Sequence, residues 1–190
     1  MNAQEHFLAR LVLRPLATQV LPQNLKPAAV LVPLLKTSRG FEVLFTKRSQ
    51  FLRHHAGQVC FAGGKQDLAD GSLQETAIRE CFEETGLMPS KILAKLAQIE
   101  TSSGFAVQPF VGILSSLDGL NISEREVEKV FLVPLADLLN SDNYQRIKMF
   151  KNGVERTAFV IATPNCCELI WGATAAILYG LSQLNLANHN

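Results

Sequence analysis

The octapeptide RECFEETG, running from Arg79 to Gly86, sets Glu80, Glu83 and Glu84 beside an arginine. On a helix, positions i, i+3 and i+4 share one side, so the three carboxylates crowd together. Each like-charge pair at that spacing costs a helix about 0.2–0.5 kcal/mol. A solvated surface tolerates that cost; a bound cation removes it. Hard divalent ions take oxygen ligands, commonly one or two carboxylates plus substrate phosphates. The donor set therefore suits metal-assisted chemistry on a phosphorylated ligand. Arg79 lies four residues from both Glu75 and Glu83. Its guanidinium fork can hold a glutamate in place, which makes it a positioning residue for a metal ligand.

A helix must carry this pattern. Asp70 and Ser72 stand where an N-cap is needed, and the spacing predicts a helix over Leu73–Thr85. Gly86 follows at the left-handed C′ position. Ile78 and Phe82, with Cys81 and Thr85 near them, form the apolar back of that helix, leaving the glutamates exposed in front. Before it, AAVLVPLLK and FEVLFTKR read as two strands around a Ser38–Arg39–Gly40 turn, and QVCFA as a third. After it, ILAKLAQIE, VQPFVGIL and EVEKVFLVPL return to strand character. IKMF and VERTAFVI flank Asn152–Gly153, a hairpin signal. Residues 169–186 read as a final helix opened by Trp171, and 1–26 as a short arm whose Leu8, Leu11 and Val12 have helical spacing before Pro15. Strands around one central and one terminal helix imply an α/β sandwich.

The chain has 190 residues, 47% hydrophobic and 18% charged, with formal net charge +1, which bounds it to one domain over 1–190. So balanced a charge gives no field for a long polyanion, so neither nucleic acid nor a membrane is expected as partner. A small-molecule substrate is. The oligomeric state is left open by the sequence. Cys60, Cys81, Cys166 and Cys167 form no CxxC pair, which points to a reducing compartment. The adjacent Cys166 and Cys167 read as small packing residues. With neither a basic, apolar leader nor a run of about 20 apolar residues, a cytoplasmic location is expected.

The segment GGKQDLADGSLQETAIRECFEETGL resembles the Nudix box of Nudix hydrolases in Arg79, Glu80, Glu83, Glu84, Gly86 and Leu87. It departs from the commonest form in a Gly64-to-Arg79 spacing one residue longer, and in Gly71 where a glutamate is usual. The preceding LFTKRSQFLRHHAGQVCFAGG is similar to LLTxRSxxxRxxxGxxxFPGG, which marks the coenzyme A pyrophosphatase branch. Thr46, Arg48, Ser49, Arg53, Gly57, Phe61, Gly63 and Gly64 fall in register, and Ala62 replaces the usual proline.

The resemblance implies a Nudix-type α/β/α sandwich with a mixed central sheet, and a hydrolase that uses Mg²⁺ or Mn²⁺. It implies coenzyme A or an acyl derivative as substrate, cleaved to 3′,5′-ADP and 4′-phosphopantetheine. Glu80 and Glu84 would be metal ligands, and Glu83 a third ligand or a water-orienting base. Gly63 and Gly64 would let the backbone approach metal and phosphate closely. Arg48 and Arg53 would contact substrate phosphate, while His54 and His55 shape the loop between. Glu100, Glu124, Glu126 and Glu128 are candidates for a further acidic group. Phe105, Phe110 and Trp171 read as core rather than as stacking partners for adenine. Two other functions stay open: a Nudix hydrolase of ADP-ribose, NADH or a nucleoside triphosphate, and a catalytically inert binding domain of the same fold.

Overall fold

The computed structural model describes residues 2–13, 24–151 and 153–186. In chain order the elements are α1 (Ala3–Leu13), β1 (Lys26–Thr37), β2 (Gly40–Arg48), β3 (Val59–Cys60), β4 (Gly63–Lys65), α2 (Leu73–Thr85), β5 (Lys91–Lys95), β6 (Ile99–Glu100), β7 (Phe105–Leu114), β8 (Val127–Pro134), α3 (Leu135–Leu139), β9 (Tyr144–Lys151), β10 (Val154–Ile161), β11 (Ile170–Trp171) and α4 (Gly172–Leu186).

The main sheet is mixed. β1 runs parallel to β7 along most of its length and antiparallel to β4 and then β2 on its other edge. The β4 pairing ends at Val30↔Gly63 and the recorded β2 register begins at Leu34↔Val43, so Pro33, which cannot donate, lies in the interval between them. Both faces of β1 are covered, which is why its sequence is an unbroken apolar run instead of an alternating one. On one face Ala29 and Leu31 pack with Ala77 and Cys81 of α2 and with Phe110. On the other, Val32 and Leu34 join Phe7 and Leu11 of α1, Leu135 and Leu138 of α3, and Leu178 and Leu181 of α4. The expected α/β/α layering is thus present, with β9, β10 and β11 forming a second, smaller sheet.

Several expectations need correction. Gly63–Lys65 is a strand, where the two glycines suggested only the start of a polar loop; its register on β1 supplies what propensity does not. Trp171 pairs with Val160 in β11, so the last helix starts one residue after it. Pro15 and Asn152 lie outside the described residues. Cys166 is half-buried and packs against the main core, as expected, whereas Cys167 is exposed and does not. Among the described residues, no helix is long and apolar enough to cross a membrane.

Candidate active site

The acidic helix α2 is fixed at both ends by its own sequence. The Ser72 hydroxyl accepts the Glu75 N–H at 3.2 Å, and the Glu75 carboxylate accepts the Gly71 N–H at 3.0 Å. At the other end Gly86 sits at φ 73° and its N–H reaches the Phe82 carbonyl. A side chain there would also meet the Gly119 carbonyl at 2.7 Å, so the position demands glycine twice over.

The buried stripe of α2 is centred on Thr76, Ala77, Cys81 and Thr85, and it includes Glu84. Phe82, expected on the apolar back, is exposed, and Glu84, expected on an exposed front, is 2% exposed. The three glutamates therefore occupy three environments: Glu83 in solvent, Glu80 half-buried, Glu84 enclosed. Glu80 and Glu84 are one turn apart, and both face β4. Gly63 donates its backbone N–H to Glu84 Oε1 at 3.3 Å. Gly64 presents a bare Cα to Glu80, whose Cδ would lie 2.5 Å from any added Cβ.

This placement is electrostatically costly. Glu84 Oε2 is buried without a hydrogen-bond partner. Desolvation is the main force that pushes the Glu84 carboxyl up to about 7, against the opposing Gly63 N–H and the positive charge of Arg48, and with the negative charges of Glu126 and Glu80 adding to it. Glu80 is shifted upward too, again chiefly by burial, with Arg79 opposing. Among the described residues no three His, Cys, Asp or Glu side chains converge into a ready-made metal cage. Two carboxylates with an unpaired oxygen nonetheless match a hard divalent ion that completes its shell with phosphate and water.

Arg79 ties the cluster together. It donates from Nη1 to Glu80 Oε1 at 2.9 Å and to Glu83 Oε2 at 3.1 Å, and from Nη2 to the Lys65 carbonyl at 3.2 Å. Its fork is filled by Asp70, through Nε and Nη2 at 3.0 Å each. Glu75, the other expected partner, is occupied in capping the helix. Asp70 was legible only as a cap; its position nine residues before Arg79 becomes meaningful once the intervening loop folds back.

β2 and β3 bring up the positive side. Arg48, half-buried at an irregularity in the β2–β8 pairing, supplies positive charge that favours the ionised forms of Glu84 and of the Cys60 thiol. Arg53 does not join it and stands exposed in the loop after β2. In that loop His55 adopts φ 58° and its Nδ1 lies 2.8 Å from Gln58 Oε1, a shape-holding contact. Of the four distal glutamates, Glu126 alone acts on both Glu80 and Glu84. Its turn is stapled to α2 by Asn121 N–H to the Thr85 carbonyl and Ser123 N–H to the Glu84 carbonyl, at 2.8 and 2.9 Å. All four are exposed, and Glu128 pairs with Lys47 at 3.2 Å. Phe110 is core, as expected.

Residues 25–152 match the family described as NUDIX domain. A protein of Yersinia enterocolitica named uncharacterized Nudix hydrolase NudL is 37% identical over 179 residues, covering 93% of this chain and 90% of its own. Its namesake in Photorhabdus laumondii is 37% identical over 165 residues, with 86% and 87% covered. Among solved structures, the NUDIX domain of Shewanella oneidensis NrtR complexed with ADP ribose aligns with a TM-score of 0.51 at 24% identity, covering 73% of this chain and 87% of that one. A C. elegans Ap4A hydrolase binary complex aligns at 0.50 and 22%, covering 59% and 83%. At those identities the two structures speak for the fold alone.

Proposed function

The chain belongs to the Nudix family of hydrolases, and from that premise we propose that it cleaves the diphosphate of coenzyme A or an acyl derivative, giving 3′,5′-ADP and 4′-phosphopantetheine. The observation that carries the proposal is the seat of β4 on α2, where the Gly63 N–H meets Glu84 Oε1 at 3.3 Å and Gly64 lies against Glu80, with the positive charge of Arg48 acting on the same Glu84 carboxylate. It joins the segment that resembles the coenzyme A motif to the segment that resembles the Nudix box, so that a cationic fork for phosphate borders the carboxylate pair.

In this reading Glu80 and Glu84 hold Mg²⁺ or Mn²⁺, and Glu83 is a third ligand or orients water. A bound ion of this kind neutralises diphosphate oxygens and lowers the pKa of a coordinated water. The protein's own part is positional. Arg79, anchored on Asp70, keeps Glu80 and Glu83 turned toward the site. Gly63 and Gly64, lacking side chains, let the β4 backbone come close to Glu84 and Glu80 and so to the metal and phosphate they would hold. Arg48 balances phosphate charge, and exposed Arg53 reaches the distal end of the substrate. Glu126, on the turn stapled to α2, is the further acidic group. Water adds to one phosphorus, the bridging P–O bond breaks, and the departing phosphate oxygen takes up the proton; positioning and charge compensation supply most of the rate in such transfers.

A hydrolysis screen over coenzyme A, NADH, ADP-ribose and nucleoside triphosphates, with products identified, tests the substrate. The reading expects coenzyme A to have the highest kcat/KM; a preference for any of the others overturns it while leaving the hydrolase assignment in place.

A further inference from the structure

The hydrolytic site makes no use of Cys166 and Cys167. They sit in the turn between β10 and β11 and line an open cleft of about 450 Å³ together with Ile161, Thr163, Pro164 and Leu169. The turn is held at both ends. Thr163 Oγ1 and Asn165 Nδ2 donate to Asp137 Oδ2 of α3 at 2.5 and 2.8 Å. Glu168 takes Lys129 at 2.5 Å and Lys47 at 3.4 Å. Within it, Cys166 Sγ donates to the Glu168 carbonyl at 3.4 Å, and Cys167 is exposed. Of the four cysteines only Cys167 is exposed, and burial raises the Cys166 thiol as it does the remaining two. Cys60 and Cys81 lie against Thr46 and Thr85, and burial pushes both thiols up to about 11. Thiolate, the reactive form, is correspondingly scarce at both.

We propose that Cys166 and Cys167 form a thiol–disulfide exchange site for low-molecular-weight disulfides, a function separate from hydrolysis, in which Cys167 attacks and Cys166 resolves. The exposed Cys167 sulfur, as thiolate, displaces one half of the small disulfide, forming a mixed disulfide and releasing one thiolate that takes a proton. The Cys166 thiolate then attacks the Cys167 sulfur, forms the Cys166–Cys167 bond and expels the second thiol. The pair is oxidised by two electrons and the small disulfide reduced by two. Adjacent Cα atoms stand about 3.8 Å apart across a trans peptide, closer than the roughly 4.4 Å minimum usual for a disulfide, so the product is strained and readily reversed by thiols. Closing that ring also deforms the turn beside Glu168, whose lysine partner Lys47 precedes Arg48.

The test is to incubate the full chain with oxidised glutathione and map the products by peptide mass spectrometry before and after dithiothreitol. The wild type is expected to lose two hydrogens at Cys166–Cys167, reversibly. Cys166→Ser is expected to stop at a glutathionyl adduct on Cys167, and Cys167→Ser to give no adduct at either position. An unreacted pair, equal labelling of Cys60 or Cys81, or a wild type that halts at the mixed disulfide overturns the proposal. None of these readouts depends on hydrolase activity.

Discussion

Arg79 grips Asp70 through two parallel hydrogen bonds of 3.0 Å, and the same guanidinium reaches Glu80 and Glu83 from its remaining nitrogen. The pair is thus a strut: the loop before α2 fixes the arginine, and the arginine fixes two glutamates. Asp70→Asn keeps the shape and loses the charge of the fork. Groups that orient metal ligands typically matter about 10–100-fold, so kcat/KM should fall within that range with the fold intact. A circular dichroism spectrum together with steady-state kinetics checks both halves; undiminished kcat/KM contradicts the strut.

The same contact has a pH signature. The Arg79 hydrogen bonds, with the Asp67 N–H behind them, hold the Asp70 carboxyl well below the usual carboxylate range. A depressed folded-state pKa contributes stability that is present above the unfolded value, about 3.9, and is lost as pH falls below it. Wild type should therefore lose melting temperature faster than Asp70→Asn on acidification below about pH 4. Parallel slopes in scanning calorimetry contradict this.

Glu84 has the opposite sign. Its carboxyl is raised from 4.5 to about 7, so between those values an unfolded chain ionises while the folded one resists. Metal-free protein loses stability across that window, and the loss is complete above it. Glu84→Gln cannot ionise. In chelator it should melt several degrees above wild type at pH higher than 7, with the gap closing toward pH 4.5, while turnover is nearly abolished. A gap independent of pH rules out a buried charge as its source.

Much of α2 was legible because its signals are local: a serine cap, a 3.6-residue apolar period, a terminal glycine. What the sequence did not reveal is how the helix is rotated. Glu83 and Glu84 sit about 100° apart around the axis, so a face that looks uniform in sequence can have one edge in solvent and the other under a strand. The sheet, through Ala29 and Leu31 packed on Ala77 and Cys81, decides which. Asp70 is readable only as a cap, and Glu126 only as one of four equivalent acidic candidates, for a related reason. Each reaches the cluster through a turn whose path is set by tertiary hydrogen bonds, and residue spacing carries no trace of that path.

Gly63 and Gly64 separate fold from function. A methyl at Gly63 would press on backbone, with Val30 Cα at 2.8 Å, whereas one at Gly64 meets only the end of the Glu80 side chain, its Cδ at 2.5 Å. Gly63→Ala should cost about 1–3 kcal/mol of stability, as overpacking does. Gly64→Ala should leave the denaturation midpoint nearly unchanged and displace Glu80, lowering kcat/KM by about 10-fold or more. Urea titration with parallel kinetics distinguishes them; equal destabilisation by both contradicts the geometry.

Glu126 and Glu100 provide the matched pair for the distal acid. Both are exposed, but Glu126 acts electrostatically on Glu80 and Glu84, while Glu100 stands on β6, beside β7 and α4. Glu126→Gln should weaken Mn²⁺ binding by about 10-fold or more and Glu100→Gln should not. Calorimetric titration with Mn²⁺ in the presence of a non-hydrolysed diphosphate reads this directly, and equal affinities for the two variants reject the assignment.

The most direct measurement incubates purified protein and coenzyme A with Mg²⁺ or Mn²⁺, with excess chelator as control, and identifies the products. The account predicts stoichiometric 3′,5′-ADP and 4′-phosphopantetheine from wild type with metal, and neither product in chelator or from Glu84→Gln. Intact coenzyme A after incubation with wild type and metal, or equal cleavage by Glu84→Gln, contradicts it.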